Sequence, residues 1–404
     1  MKRLLSLILS LLLILVFAVP VHAKTVSTEF AGADLDTPLE ENLQANAPIG
    51  EKLDINAKSA ILIEYNTGKI LYESNSDEKL APASITKIMT LILVMEALEE
   101  GKIALDTKVT ASEHAASLGG SQIWLEPGEV MTIDELLRAT VIASANDATV
   151  ALAEAVAGSE ESFVALMNEK AKELGMKNTN FVNSYGLDAD GHLTTAHDVA
   201  IMSAELIRHE LIREYSTVKM DSLRDGESEL VNTNKLIRYY DGCFGLKTGT
   251  TGKAGSCLSA TAERNGLTLV AVVLGSPTSK DRFSGASKLL DYGFANYSFL
   301  NVKAEAQIPS TIPVKKGVER SVKLEANETL PLLLKKGDEK NITQTISLEE
   351  ELTAPVKKGD IVGYVHIQLN GEEIGVISIT AAKDVDKLTF FVCLGRLLRG
   401  LFTL

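Results

Sequence analysis

The apolar positions along this chain switch between two periods. Ala60-Ile61-Leu62-Ile63 and Ile70-Leu71-Tyr72 are short apolar runs flanking Asn66-Thr67-Gly68, the pattern of a strand hairpin. From Ser84 to about Glu99 the apolar residues become nearly continuous (Ile88, Met89, Leu91, Ile92, Leu93, Val94, Met95), which predicts a helix buried on every side. That segment is too short, and too polar at its start, to span a bilayer. Helical periodicity returns at 133–143, 148–157 and 162–174, the first capped by Thr132 or Asp134, and again at about 195–209. Strand patterns follow at 245–250, 257–262 and 267–274, the last two joined by the hairpin signal Asn265-Gly266. A helix at about 281–292 closes the series. A hairpin, then helices, then antiparallel strands and a last helix predict an α+β domain over residues 55–300, with helices packed against an antiparallel sheet.

The pattern changes at about residue 301. Through 383, short β-rich runs alternate with turns at Lys315-Lys316-Gly317, Lys335-Lys336-Gly337, Lys357-Lys358-Gly359 and Asn370-Gly371, predicting a small all-β sandwich. Over 384–404 a helical wheel collects Phe390, Phe391, Leu394, Leu397, Leu398, Leu401 and Phe402 on one face. Thr389, Arg396, Arg399 and Thr403 fall on the other. The longest uncharged run, 388–395, is too short to cross a membrane, so this segment reads as an amphipathic helix lying in the membrane surface. The other reading is a terminal helix packed on the β domain or on a second subunit.

At the opposite end, Lys2-Arg3, an apolar stretch from Leu4 to about Ala18 and Val21-His22-Ala23 have the three parts of an export signal over residues 1–23. An uncleaved anchor would also place the body outside the cytoplasm. Residues 24–54 are acidic and aperiodic, a flexible lead-in.

Composition narrows the partners. The 404 residues suit two domains plus terminal segments. A net charge of −14, or −16 once Lys2 and Arg3 are removed with the signal, argues against a nucleic-acid partner, because phosphate binding needs clustered cations. The six histidines have no metal-ligand spacing such as His-Glu-x-x-His, and no cofactor is implied. Cys243, Cys257 and Cys393 make no disulfide framework. Cys243 and Cys257 could bridge only if the strands carrying them brought them opposite, and a hairpin turning near Gly252 leaves them several residues out of register.

Three short motifs carry chemistry. Ser84-Ile85-Thr86-Lys87 pairs a hydroxyl with an amine at i+3, at the first turn of the buried helix, where both share a face and free backbone N–H groups favour negative charge. Serine is a poor nucleophile without a base, and lysine can act as one only when burial or a second cation lowers its pKa. Lys247 is the candidate second cation. Ser76-Asp77-Glu78-Lys79 has the same spacing in polar surroundings and is a decoy. Ser144-Ala145-Asn146 falls between two helical patterns, where the hydroxyl could relay a proton and the amide hold a carbonyl or the lysine. Lys247-Thr248-Gly249-Thr250 lies on a strand: its ammonium and hydroxyls suit a carboxylate, and Gly249 permits close approach. The strand's edge can pair with an extended peptide, and the backbone N–H groups of Ser84 and Thr250 are the expected oxyanion donors. Taken singly, each motif also reads as a helix cap or a surface lysine.

In this order and in these settings the three motifs resemble those of the D-alanyl-D-alanine carboxypeptidase family, the low-molecular-mass penicillin-binding proteins. The resemblance spans nearly the whole chain and includes Gly120-Ser121-Gln122-Ile123-Trp124-Leu125, Tyr185-Gly186-Leu187-Asp188 and Leu289-Leu290-Asp291-Tyr292-Gly293-Phe294. It implies a β-lactamase/transpeptidase-like catalytic domain, a β-sandwich domain and a membrane-anchoring amphipathic helix. It also implies that Ser84 is the acylated nucleophile and Lys87 its base, with Ser144 and Asn146 assisting. Lys247, Thr248, Gly249, Thr250 and Arg282 would hold the terminal carboxylate of a peptidoglycan stem ending in D-Ala-D-Ala, and penicillins would trap the acyl-enzyme.

Two rival readings stay open at this point. A class A β-lactamase shares Ser-x-x-Lys and Lys-Thr-Gly, although its middle motif has aspartate where this chain has Ala145. Such enzymes need a glutamate for deacylation, and Glu160, Glu161, Glu169 and Glu173 lie in the relevant stretch. The other rival is an inactive muropeptide-binding protein.

Overall fold

A computed structural model describes residues 53–395. The export signal, nearly all of the acidic lead-in, and Arg396, Leu397, Leu398, Arg399, Leu401, Phe402 and Thr403 of the tail lie outside the described residues.

The first two apolar runs form β1 (Ser59–Glu64) and β2 (Ile70–Ser74). Four main helices follow: α1 (Lys87–Glu99), α2 (Asn146–Ala157), α3 (Glu160–Glu173) and α4 (Ala196–Leu206). Then come β3 (Cys243–Thr251), β4 (Gly255–Arg264), β5 (Leu267–Ser276) and α5 (Ser279–Asn296). The five strands make one antiparallel sheet in the order β2-β1-β5-β4-β3, so the Lys247 strand is an edge. Asn265 and Gly266 both have positive φ (52° and 78°), as the tight hairpin between β4 and β5 requires.

Helices cover both faces of this sheet. Every residue of β1 and β5 is buried, which explains why these strands read as continuous apolar runs rather than as an alternation. Ile61, Ile63, Val270 and Val272 face the larger core, shared with α1, α2 and α4. Ala60, Leu62, Leu269 and Val273 face the smaller one, shared with Leu289, Leu290 and Phe294 of α5. Gly293 lets α5 approach closely: a Cβ there would lie 2.5 Å from Leu269 Cδ1.

The segment starting at Ser84 is not one continuous α-helix. Ala83–Thr86 is a 3₁₀ turn and α1 begins at Lys87. Pro82 precedes the turn, Ala83 sits at φ 51°, and Thr86 Oγ1 donates to Ala83 O at 2.8 Å. In a 3₁₀ turn residues i and i+3 eclipse, so Lys87 still stands over Ser84.

Beyond α5 the chain enters β6 (Tyr297–Lys303). It continues through β7 (Thr311–Lys315), β8 (Ser321–Glu325), β9 (Thr329–Lys335), β10 (Ile342–Leu348), β11 (Leu352–Thr353), β12 (Ile361–Leu369) and β13 (Glu372–Ala381). β6 pairs with β9, and the others form a sheet in the order β10-β12-β13-β8-β7-β11 around Val322, Val365, Ile367, Ile377 and Ile379. Lys316, Gly337 and Gly359 of the three Lys-Lys-Gly triplets have positive φ, so these triplets are turns.

Residues 390–395 are helical, with Phe390 and Phe391 exposed at 74% and 81%. No helix among the described residues is long and apolar enough to cross a membrane. All three cysteines are free. Cys243 stands opposite Ala262 and Cys257 opposite Gly249, out of register as the strand pattern requires.

Ile92 is fully buried in the middle of α1. Ile92→Ala is expected to destabilise the domain by about 2–5 kcal/mol, read from the urea midpoint of the full chain.

Candidate active site

Ser84 sits in a turn wedged between two glycines. A Cβ on Gly249 of β3 would lie 2.9 Å from both Ala83 Cβ and Ser84 N. One on Gly186, at φ 98°, would lie 2.0 Å from Ala83 O. Neither contact leaves space for a methyl group. Below the turn, His192 completes the tether. Val182 N–H donates to His192 Nδ1 at 2.9 Å, which leaves Nε2–H to donate to Thr86 Oγ1 at 2.8 Å. Burial pushes the His192 pKa down to about 4, so the ring is neutral at physiological pH and this tautomer persists.

Lys87 is fully buried. Its Nζ lies 3.1 Å from Ser84 Oγ, 2.6 Å from Asn146 Oδ1 and 2.7 Å from Tyr185 O. Burial drives its pKa well below the ordinary lysine value. The charge of Lys247 adds to the effect and the carboxylate of Asp147 opposes it. Each acceptor is itself anchored. Asn146 Nδ2 donates to Gly119 O at 2.7 Å, which fixes the amide with its oxygen toward the amine. Tyr185 follows Ser184, whose N–H and hydroxyl donate to Glu160 Oε1 and whose carbonyl accepts from Thr90 Oγ1.

Ser144 and Asn146 lie at a break in the helical run. Ala139–Ala143 winds as a wide π-type turn, Ser144 adopts a left-handed conformation (φ 64°), and Asn146 opens α2. Such turns and positive-φ serines store strain that surrounding contacts must hold. Asp147, fully buried, supplies them: its carboxylate accepts from the N–H groups of Ile123, Leu125 and Ala148, fixing the loop that carries Gly119 and Gly120.

On the opposite wall, Lys247 is 1% exposed, and the one hydrogen bond of its amine among the described residues is a long 3.4 Å one to Thr248 O. Burial, reinforced by the charge of Arg282, lowers its pKa to about 7. Thr248 Oγ1 donates to Thr233 Oγ1 at 2.7 Å. Arg282, at the start of α5, donates through Nη1 to Gly249 O at 2.7 Å and to Thr250 Oγ1 at 2.8 Å, bracing the strand from behind. Thr250 itself is exposed. The structure thus gathers Ser84, Lys87 and Asn146 in direct contact, and places Lys247, Thr248, Gly249, Thr250 and Arg282 together along one strand. Ser144 is buried beside them, and its side chain makes no hydrogen bond among the described residues.

The chain is similar to known proteins over most of its length. The family model for D-alanyl-D-alanine carboxypeptidase matches residues 43–278, and that for the penicillin-binding protein 5 C-terminal domain matches residues 298–387. The D-alanyl-D-alanine carboxypeptidase DacF of Bacillus subtilis is 43% identical over 98% of both chains. This chain belongs to the D-alanyl-D-alanine carboxypeptidase family. DacC of Escherichia coli is 39% identical over 84% of this chain and 87% of its own. Penicillin-binding protein 5 of Haemophilus influenzae superposes with a TM-score of 0.69 at 34% identity, covering 84% of this chain and all of that one. Penicillin-binding protein D2 of Listeria monocytogenes, solved with ampicillin bound, gives 0.56 at 33% identity over 60% of this chain and all of that one. The fold is therefore the α+β penicillin-binding architecture with its appended β domain.

Within this carboxypeptidase framework the decoy serine is explained. Ser76 Oγ donates to Glu73 Oε2 at 2.6 Å and has no part in the cleft. Of the four glutamates weighed for deacylation, Glu160 binds Ser184 and His114, and Glu173 pairs with Lys170. Among the described residues no carboxylate hydrogen-bonds to Ser84 or Lys87. Sequence reasoning missed Tyr185 O, Asp147, Thr86 and His192. Backbone carbonyls carry no sequence signal, but Asp147 adjoins the Ser-x-Asn motif and could have been weighed.

Gly186→Ala would drive a methyl into the Ala83 carbonyl from a strained φ. A loss of about 1–3 kcal/mol is expected in thermal melts of the full chain, more than at a glycine facing open space such as Gly252.

Proposed function

We propose that this chain is a serine-type D-Ala-D-Ala carboxypeptidase that works through an acyl-enzyme on Ser84. The observation that carries the reading is the coordination of Lys87. A neutral amine has two N–H bonds and one lone pair. The carbonyls of Asn146 and Tyr185 accept the two hydrogens, which leaves the lone pair for the Ser84 hydroxyl 3.1 Å away.

Ser84 Oγ then attacks the carbonyl carbon of the penultimate D-alanine, and its proton passes to Lys87 Nζ. Negative charge on the carbonyl oxygen is held by the N–H groups of Ser84 and Thr250. The C–N bond breaks as the proton reaches the leaving amine, with Ser144 as relay, and water hydrolyses the resulting ester. Lys247, nearly bare and buried, binds the terminal carboxylate with Thr248 and Thr250, while Arg282 stiffens the strand that presents them. Penicillins enter the same site and acylate Ser84, in keeping with the ampicillin-bound Listeria relative.

We infer further that residues 1–23 export the chain and that the C-terminal helix rests on the outer face of the cytoplasmic membrane. The exposed Phe390, Phe391 and Leu394 support this placement. Retention of the full chain, but not of a chain ending before residue 384, on anionic lipid vesicles is the expected result.

The central test uses a diacyl-L-Lys-D-Ala-D-Ala tripeptide. The wild type should release D-alanine, and Ser84→Ala should fall to background and lose the penicillin adduct seen by mass spectrometry. Release that survives in the variant would remove Ser84 from the mechanism. Rapid penicillin turnover by the wild type would instead indicate a β-lactamase.

The pH dependence follows from the two lysines. Lys87 acts only when deprotonated, and the charge of Lys247 helps keep it so. Lys247→Gln should therefore slow acylation by about 10²-fold or more and also move its acid limb to higher pH. An acid limb that stays in place would show that Lys247 does not tune Lys87.

A further inference from the structure

The end of α1 remote from Ser84 carries a second group of chemistry-bearing side chains. Glu96 and Glu99 lie on its last turn, and Glu205 and His209 lie where α4 ends. One carboxylate oxygen from Glu96, one from Glu205 and a ring nitrogen of His209 all lie within 4.8 Å of one another. Nine residues of helix separate Lys87 from Glu96, roughly 14 Å, so this cluster is not part of the catalytic cleft.

His209 indicates what the cluster is built to hold. The residue is 8% exposed. Its Nδ1 lies 2.7 Å from Glu99 Oε1, while its Nε2 is buried without a hydrogen-bond partner. In the neutral ring, a carboxylate at Nδ1 accepts that nitrogen's proton and leaves Nε2 as a lone pair. An unpartnered buried nitrogen on a ring that stands beside two carboxylates is an arrangement a cation relieves. The carboxylate–imidazole pair also matches the way proteins orient metal-binding histidines. Nearby cations offset the acidic charge only in part. Lys170 Nζ pairs with Glu96 Oε1 at 2.6 Å and is shared with Glu173, and Arg208 Nη1 pairs with Glu205 Oε2 at 3.2 Å, so with Glu99 four carboxylates face two cations.

We propose that Glu96, Glu205 and His209 bind a first-row divalent cation of the zinc type, with Glu99 orienting the imidazole and water completing a four-coordinate shell. An imidazole donor favours zinc and its neighbours over calcium or magnesium, which take oxygen ligands. Ligand atoms around such an ion sit ~3.5 Å apart, reachable from the present spacing by small rotamer shifts. The ion would tie the end of α1 to the end of α4, so its effect is on the stability of the helix that carries Lys87 rather than on the reaction.

The test uses the full chain freed of metal with a chelator. Calorimetric titration with Zn²⁺ should give one ion per chain, and saturating zinc should raise the melting temperature by about 2–5 °C. Co²⁺ in place of zinc should give the intense visible bands of a four-coordinate site. His209→Gln should weaken binding at least about tenfold and abolish the thermal shift, and Glu99→Gln should weaken it about 10–100-fold. His366→Gln removes a histidine of the β domain that pairs with Glu373 and Ser347, and should change nothing. Comparing each variant with and without zinc separates loss of the site from loss of folding. Absence of saturable binding by the wild type overturns the proposal, as does binding that survives His209→Gln or is lost with His366→Gln.

Discussion

The site depends on a lysine held where water cannot reach it. Removing an ammonium from water is costly unless strong partners compensate. Lys87 has only neutral acceptors around it, so the protein avoids that cost by favouring the uncharged amine. Asp147 prevents the environment from being wholly apolar, but its carboxylate is engaged by backbone N–H groups and does not pair directly with the amine. Burial also lowers the Lys247 pKa, to about 7, with Arg282 as the second cation, so Lys247 retains charge that Lys87 loses. The cleft therefore contains two buried amines and a guanidinium in sequence, each disfavouring charge on the next.

This electrostatic arrangement requires a fold that brings distant segments to within van der Waals contact. The edge strand carrying Lys247 approaches the Ser84 turn because Gly249 has no side chain, and the 183–187 segment approaches from the other side because Gly186 has none. Arg282 braces the strand, Glu160 and Thr90 brace Ser184 beside Tyr185, and His192 with Thr86 braces the turn itself. The catalytic groups are supported by ordinary hydrogen bonds whose role is to remove freedom, the condition under which a preorganised site can act without rearranging.

The two ends of α1 divide the work of that helix. Its first residue supplies the amine of the cleft, and its last turn contributes Glu96 and Glu99 to a separate polar cluster at the opposite end. Between them the helix is buried almost throughout, so its position is set by packing with α2 and α4 against the sheet. A helix anchored at both ends and packed along its length is well suited to holding one lysine in a fixed place.

The sequence by itself determined the order of elements, the buried character of α1, the hairpin at Asn265-Gly266 and the three motifs that name the family. These follow from local rules: periodicity, turn chemistry and the spacing of a hydroxyl and an amine within one turn. The register that keeps Cys243 and Cys257 apart was legible for the same reason. The tertiary structure alone decided the rest. Helices cover both faces of the sheet, a 3₁₀ turn rather than an α-helix holds Ser84, and backbone carbonyls and a neutral histidine complete the site. Glu96, Glu205 and His209 meet only when α1 and α4 pack, so no spacing between histidines could reveal them. Contacts made by backbone atoms, and by side chains more than a hundred residues apart, leave no periodic trace in the chain; they exist only once packing has brought the segments together.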